Sequence, residues 1–277
     1  MSPARLITLT ILALLAFAGN ALLCRAALQH TPIDAASFTT IRLISGALVL
    51  WTLVQLTRRE VTGRGSWPSA LALFAYAAAF SFAYVSLPTG TGALLLFGAV
   101  QASMIGWGLF KGERFRGQQL AGLLLALGGL VGLLLPGLSA PPLAGALLMI
   151  GAGVAWGVYS LRGRGAGDPT RVTAGNFVRT VPMALGLSLL LLSQAQLDAA
   201  GVAYAIASGA ITSGIGYAIW YTALPALKAT HAATLQLSVP VIAAVGGIVL
   251  LGEPLSLRLV LAAAAILGGI ALVIRRK

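Results

Sequence analysis

The chain has 277 residues, of which 58% are hydrophobic and 9% are charged, and its formal net charge is +12 at pH 7. Soluble domains carry about 25% charged residues, so this composition excludes an ordinary soluble globular protein. The basic residues stand between apolar runs instead of forming one patch, which argues against a nucleic-acid-binding protein.

Apolar segments follow one another along the chain, separated by Pro, Gly and small groups of charged residues. An α-helix of about 20 residues crosses a bilayer, and helices keep their backbone hydrogen bonds satisfied in lipid. The breaks define ten such segments, at about 6–27, 33–56, 68–86, 91–110, 117–135, 142–160, 171–193, 199–222, 230–251 and 257–274. We therefore predict an all-α polytopic membrane protein with ten transmembrane helices.

The positions of the basic residues orient these segments. If the N-terminus is cytoplasmic, all but four of the 18 Lys and Arg residues fall in cytoplasmic loops or tails. The exceptions are Arg25 and Arg258, at the outer ends of their spans, and Arg42 and Arg179 in the membrane interior. Cytoplasmic loops of membrane proteins carry an excess of Lys and Arg, so this alternation supports ten spans with both termini cytoplasmic.

The second half of the chain repeats landmarks of the first half in the same order. Arg42 returns 137 positions later as Arg179, and the YVSLP segment at 84–88 returns at that offset as YTALP at 221–225. A Gly-Glu pair at 112–113 returns 140 positions later at 252–253. Residues 1–135 and 136–277 are thus predicted to be two five-helix repeats, inverted because each has an odd number of spans. Many secondary transporters are built in this way.

Two arginines, Arg42 and Arg179, lie inside otherwise apolar spans. A cation at the bilayer centre costs about 2.5–3.5 kcal/mol on insertion scales, so each should face protein or water. Either arginine could be structural, bonded to backbone carbonyls, or could bind a substrate carboxylate, and the sequence leaves both interpretations open. All six acidic residues fall in loops or at span ends, which argues against a carboxylate proton relay at mid-membrane.

Aromatic and amide residues gather on several spans of both halves. Tyr76, Phe80 and Tyr84 are spaced i, i+4, i+8 and therefore share one helix face, and Tyr217 and Tyr221 repeat that step. Each could simply pack in the interior, but as a set they indicate a pocket with a few orienting polar groups between the repeats. The candidate substrate-binding residues are Phe17, Asn20, Phe80, Tyr84, Gln101, Trp156, Tyr159, Tyr217, Trp220 and Gln236.

Four short motifs carry a family resemblance. They are FAGNALLCR at 17–25, its second-half counterpart AWGVYS at 155–160, and the Gly-Glu turns KGERF at 111–115 and LGEPL at 251–255. Together with the arginine-bearing second and seventh spans, they resemble the drug/metabolite transporter superfamily, specifically its ten-span EamA-type carriers. The resemblance covers nearly the whole chain. It implies inverted five-span repeats, a central cavity, and export of amino acids or related metabolites across a bacterial inner membrane.

The leading hypothesis is therefore a secondary transporter that exports amino acids, aromatic or otherwise neutral, or related small metabolites by alternating access. A passive channel for small polar solutes is the alternative, although the sequence contains no filter-like repeat or charged ring. An enzyme would need a nucleophile–base set or metal ligands, and two histidines near span ends with one cysteine supply neither. No cofactor or metal is expected; the expected partners are a small-molecule substrate and the lipid bilayer.

Overall fold

The computed structural model describes residues 2–57, 63–112, 117–135, 140–163, 166–227 and 235–274. Within these ranges the chain is helical and contains no β-strand. In chain order the helices are α1 (Pro3–His30), α2 (Ala35–Thr57), α3 (Trp67–Tyr84), α4 (Thr89–Phe110), α5 (Gly117–Leu134), α6 (Leu143–Gly163), α7 (Pro169–Leu190), α8 (Ala199–Ala226), α9 (Ser238–Leu251) and α10 (Leu257–Ile274).

Seven helices among the described residues, α1 to α6 and α8, are long and apolar enough to cross a membrane. The helices α9 and α10 are shorter apolar helices. The helix α7 has 22 residues, but Arg171, Asn176 and Arg179 interrupt its apolar character. The prediction of a helical membrane protein is confirmed at this level. The start of the predicted segment 230–251 cannot be compared, since residues 228–234 lie outside the described ranges.

Acidic side chains cap the N-termini of three of the helices. The Asp34 carboxylate accepts hydrogen bonds from the backbone N–H groups of Ala36 and Ser37, both at 2.9 Å, where α2 starts. Asp168 and Asp198 do the same for the first turns of α7 and α8. The start of a helix leaves N–H groups without partners inside the helix, and side-chain oxygens satisfy them. These loop residues therefore fix where each apolar run becomes a helix.

Asp34 also joins the α1–α2 loop to the α7–α8 loop. Its carboxylate accepts from the N–H of Gln196 at 2.9 Å, and its own N–H donates to the Gln196 carbonyl at 3.2 Å. Burial desolvates this carboxylate, but the hydrogen bonds from Ser37, Gln196 and Ala36 outweigh that effect, so the pKa of Asp34 lies below its usual value. A charged acceptor thus holds together loops from the two halves of the chain.

The helix α8 is not uniform. It is α-helical at both ends and π-helical in the middle, over Ala207–Ile215. Segments of π-helix are rare and often occur at functional sites. This one carries three buried hydroxyl residues, Ser208, Thr212 and Ser213. The sequence predicted a plain span at 199–222, so the π segment is a difference from that expectation.

Helices that hold the same position in the two halves of the chain pack against each other. The second helix of each half packs against its counterpart, α2 on α7, and so do α4 on α9 and α5 on α10. Two further contacts are equivalent to each other, because each joins the third helix of one half to the first helix of the other half. They are α3 on α6 and α8 on α1. The contact of α5 with α10 is especially close: a methyl group on Gly122 would lie 2.6 Å from the Gly269 carbonyl oxygen.

The first prediction concerns this contact. A Cβ at Gly269 would lie 2.5 Å from the Gly122 carbonyl oxygen, whereas one at the adjacent Gly268 would meet nothing within 4 Å. Both Gly→Ala changes raise helix propensity equally, but overpacking costs about 1–3 kcal/mol. We therefore expect Gly269→Ala to lower the melting temperature of the purified protein and Gly268→Ala to leave it unchanged or higher. Equal melting temperatures for the two variants would contradict the packing described here.

Candidate functional site

A cavity of about 480 Å³ lies among helices drawn from both halves of the chain. Its wall is formed by α1, α3, α4, α6, α7, α8 and the beginning of α9. All ten residues named as candidates from the sequence lie on this wall: Phe17, Asn20, Phe80, Tyr84, Gln101, Trp156, Tyr159, Tyr217, Trp220 and Gln236. The fold therefore brings this whole set to one place.

Trp156 stands at the centre of the aromatic part of the wall. Its ring centroid lies 4.7 Å from that of Tyr76 and 5.2 Å from that of Tyr217, so it joins the aromatic face of α3 to that of α8. Phe80 continues the α3 face toward Tyr84, with ring centroids 4.7 Å apart and planes at 84°. Tilted and edge-to-face pairs are favourable arrangements for aromatic rings. The result is a continuous apolar surface against which a flat or branched apolar group can pack.

Asn20 is the centre of a buried polar cluster beside this surface. Its Oδ1 accepts a hydrogen bond from the Ser208 hydroxyl at 2.7 Å and lies 3.3 Å from the Thr212 hydroxyl, both in the π segment. Its Nδ2 donates to the hydroxyl oxygen of Tyr76 at 3.4 Å. The Ser208 and Thr212 hydroxyls thus face the amide oxygen, and the Tyr76 hydroxyl faces the amide nitrogen.

Arg42 lies behind the wall and is not part of the cavity lining. Its guanidinium carbon is 4.9 Å from the Phe80 ring centroid and 5.5 Å from that of Tyr76. One terminal nitrogen donates to the Tyr76 hydroxyl at 3.3 Å, and Nε donates to the Ser213 hydroxyl at 3.4 Å. The residue is 2% exposed. Among the described residues, ring faces and hydroxyl groups surround this cation, and no carboxylate contacts it.

Arg179, the counterpart of Arg42 in the sequence repeat, has different surroundings. One of its terminal nitrogens donates to the carbonyl oxygens of Arg64 at 2.6 Å and of Gly175 at 2.8 Å. It is absent from the cavity lining. Arg179 therefore joins the segment before α3 to α7. Bonding to backbone carbonyls is what the structural interpretation of this arginine expects.

Some lining residues were not among the sequence candidates. Asn176 lies on the wall, donates from Nδ2 to the Tyr159 hydroxyl at 3.4 Å, and accepts from the N–H of Ser66 at 2.8 Å. Tyr76 and Thr173 also line the cavity. An amide inside an apolar span is the sequence signal that could have identified Asn176, as it did Asn20.

The two ends of the cavity differ in exposure. At one end the lining residues Gly163 and Pro169, at the end of α6 and the start of α7, are exposed. At the other end Tyr84 is 0% exposed and Ala93 is 1% exposed. The cavity therefore opens at the end formed by the α6–α7 connection and is closed beneath the α3–α4 loop.

Glu253, in the loop between α9 and α10, holds the closed end together. Its carboxylate accepts from the backbone N–H of Thr89 at 2.8 and 2.9 Å, from the Thr89 hydroxyl at 3.1 Å, and from Nε of Arg25 at 3.3 Å. Arg25 also donates to the carbonyl oxygens of Tyr84 and Val85 at 2.9 and 3.0 Å. We call Arg25, Thr89 and Glu253 the latch. It joins the end of α1, the α3–α4 loop and the α9–α10 loop.

The latch also caps a helix. Thr89 is the first residue of α4, and the preceding Pro88 provides no side-chain cap. The N-terminus of a helix has unpaired N–H groups and a positive dipole end, which favours an acidic partner. Glu253 supplies that partner from a distant part of the sequence. Glu113, its counterpart in the sequence repeat, lies outside the described residues.

Comparison with known proteins identifies relatives over the whole chain. Residues 143–275 match the family model described as EamA-like transporter family. The chain is 61% identical over 275 residues to Uncharacterized protein PA1977 of Pseudomonas aeruginosa, which covers 99% of this chain and 96% of that protein. A solved crystal structure with 21% sequence identity covers 98% of this chain and 96% of its own, with a TM-score of 0.68. At 21% sequence identity, this similarity shows a shared fold and no more.

The second prediction concerns the latch. Removing one partner of a buried ion pair destabilises a protein by about 3–5 kcal/mol, because the other charge stays buried and unpaired. Both side chains of the Arg25–Glu253 pair are about nine-tenths buried. We expect Glu253→Gln to lower the melting temperature clearly more than Asp198→Asn, which alters a cap at the exposed start of α8. Equal effects of the two substitutions would show that the ion pair does not hold this end.

Proposed function

Because residues 143–275 match the EamA-like transporter family, we propose that the chain exports amino acids or related small metabolites from the bacterial cytoplasm across the inner membrane. The family match and the apolar helices support a multi-pass membrane transporter of small solutes. Within the family, its motifs most resemble those of the bacterial aromatic amino acid exporter YddG. The observation that carries the proposal is the aromatic-walled cavity, open at one end and latched at the other.

The dimensions and chemistry of the cavity suit such a solute. A volume of about 480 Å³ falls within the roughly 300–1,000 Å³ of small-molecule pockets, which are mostly apolar with a few orienting polar groups. The apolar side chain of the solute would lie against Phe80, Tyr84, Trp156 and Tyr217. Its polar end would be oriented by Asn20, Tyr159 and Gln236, which lie on the same wall.

We propose that residues 1–135 and 136–277 are inverted repeats of five spans each, with both termini cytoplasmic. The exchange symmetry of the helix contacts supports this arrangement, since helices in equivalent positions of the two halves pack on each other. The distribution of Lys and Arg supports the orientation. In this orientation the open end of the cavity faces the cytoplasm and the latch lies on the outer side.

We further propose that transport proceeds by alternating access. The observed cavity has the form expected of a state open to the cytoplasm, from which a solute enters as far as Tyr84. Release to the outside would require the latch to separate. A passive channel would need a continuous path, and the buried Tyr84 and the latch close this one on the outer side.

The third prediction tests the proposed function in proteoliposomes. We expect saturable counterflow of a radiolabelled aromatic amino acid, and we expect Trp156→Ala to reduce it at least about tenfold, because the central ring of the wall is lost. Trp107→Ala is the matched control, since Trp107 is half exposed and lies outside the cavity. The amount of folded protein in the membrane is measured for both variants.

Three results would overturn the proposal in different ways. No counterflow with any amino acid would remove the substrate class. Flux that does not saturate and shows no counterflow would favour a channel. Normal counterflow in Trp156→Ala would remove the assignment of the cavity as the transport site.

A further inference from the structure

The described lining of the cavity carries no ionisable charge at neutral pH. Its polar members are amides, hydroxyls and phenols, and no Asp, Glu, Lys, Arg or His is among the described lining residues. The acidic residues that the structure describes lie elsewhere, with Glu253 bound to Arg25 and Asp34, Asp168 and Asp198 at helix starts. The wall therefore offers no counter-charge for a cationic group of a solute.

A buried cation, Arg42, lies directly behind the Tyr76 and Phe80 rings of this neutral wall. One of its terminal nitrogens, NH1, is buried and has no hydrogen-bond partner among the described residues. The titratable groups around it are Tyr76, Tyr217 and Cys24, which are neutral at pH 7 in their usual state. Buried donors are normally paired, so the charge of Arg42 is incompletely compensated by the residues around it. A buried charge also needs compensation.

The hydroxyl of Tyr76 can provide the link between Arg42 and the cavity. Its oxygen accepts two hydrogen bonds, from Arg42 at 3.3 Å and from Asn20 at 3.4 Å. Neither contact uses the hydroxyl proton, and the described residues include no acceptor for it. Two donors on the oxygen, one of them cationic, strengthen that O–H group as a donor. Tyr76 lines the cavity, so a solute can supply the missing acceptor.

We infer that this site selects solutes with an anionic group, such as a carboxylate, which accepts the Tyr76 hydroxyl proton while Arg42 compensates the charge from behind the wall. The inference rests on the proposed transport function and deepens it by assigning the charge of the recognised group. Tyr76 is the contacting residue, and Arg42 is a positioning residue that acts through it. A solute whose only charge is an ammonium group meets the positive charge of Arg42 and no carboxylate on the described wall, so we expect it to bind more weakly.

The experiment uses two probes that differ only in their charged group. They are 3-phenylpropionate and 2-phenylethylamine, which share the same phenyl ring and two-carbon linker. Binding to the purified full chain is measured at pH 7 by tryptophan fluorescence and by competition against amino acid counterflow. A hydrogen bond to a charged group is worth enough to change affinity about ten- to a hundredfold, so we expect the carboxylate to bind at least about tenfold more tightly than the amine.

Substitutions then test which residues set this preference. Tyr76→Phe keeps the ring and removes the hydroxyl, and it should abolish the preference for the carboxylate. Tyr221→Phe removes another hydroxyl from the same cavity wall, away from Arg42, and should keep the preference. Arg42→Lys should keep more of the preference for the carboxylate than Arg42→Gln does, since lysine retains the positive charge. A purely structural role of these residues would change the amount of folded protein but not the ratio of the two affinities.

The outcomes separate this inference from the proposed function. A wild-type protein that exchanges amino acids but binds both probes equally, or prefers the amine, overturns the inference and leaves the transport function intact. An unchanged preference in Tyr76→Phe also overturns it. If neither exchange nor binding occurs, both are overturned. The comparison of probes on the wild-type protein decides the question even if the Arg42 variants fail to fold.

Discussion

The Glu253 carboxylate makes the contact on which the shape of the cavity depends. It binds the first N–H of α4, the Thr89 hydroxyl and the Arg25 guanidinium, and Arg25 binds the end of α3. Because Pro88 provides no side-chain cap for α4, this carboxylate completes the helix start from another part of the chain. One ionised group therefore closes one end of the cavity and stabilises a helix of its wall. In a conformation that opens this end, the N–H groups at the start of α4 and the Arg25 guanidinium must be hydrated by water instead.

A second constraint comes from the lipid, in which an unpaired polar group is costly. The π segment of α8 meets this constraint in the interior. Its Ser208 bonds Asn20 and its Ser213 bonds Arg42, while Asn20 and Arg42 share the hydroxyl oxygen of Tyr76. The apolar wall and the polar cluster are thus built from the same residues. A change in the position of α8 would alter the aromatic contacts and the hydrogen bonds together.

Much of the cavity could be predicted from the sequence because aromatic residues on one helix face are visible as i, i+4 spacing, as in Tyr76, Phe80 and Tyr84. The ten candidates are aromatic and amide residues of apolar spans, and the spacing places Phe80 and Tyr84 among them on one face. The partners of Arg42 could not be predicted, since the π segment depends on contacts between α8, α1 and α2 and leaves no periodic signal. The latch could not be predicted either: Arg25 and Glu253 are 228 positions apart, and the sequence places both on the outer side without a reason to pair them.

In the proposed transport cycle, the latch must separate for solute to leave on the outer side. The direct measurement is a distance distribution between spin labels at Val85→Cys and Leu255→Cys in a Cys24→Ser background, in lipid bilayers. Both positions are more than half exposed and flank the latch. The account predicts one short distance in the wild type and a longer population that grows with Glu253→Gln but not with Asp198→Asn. A distribution that neither Glu253→Gln nor a transported solute alters would contradict it.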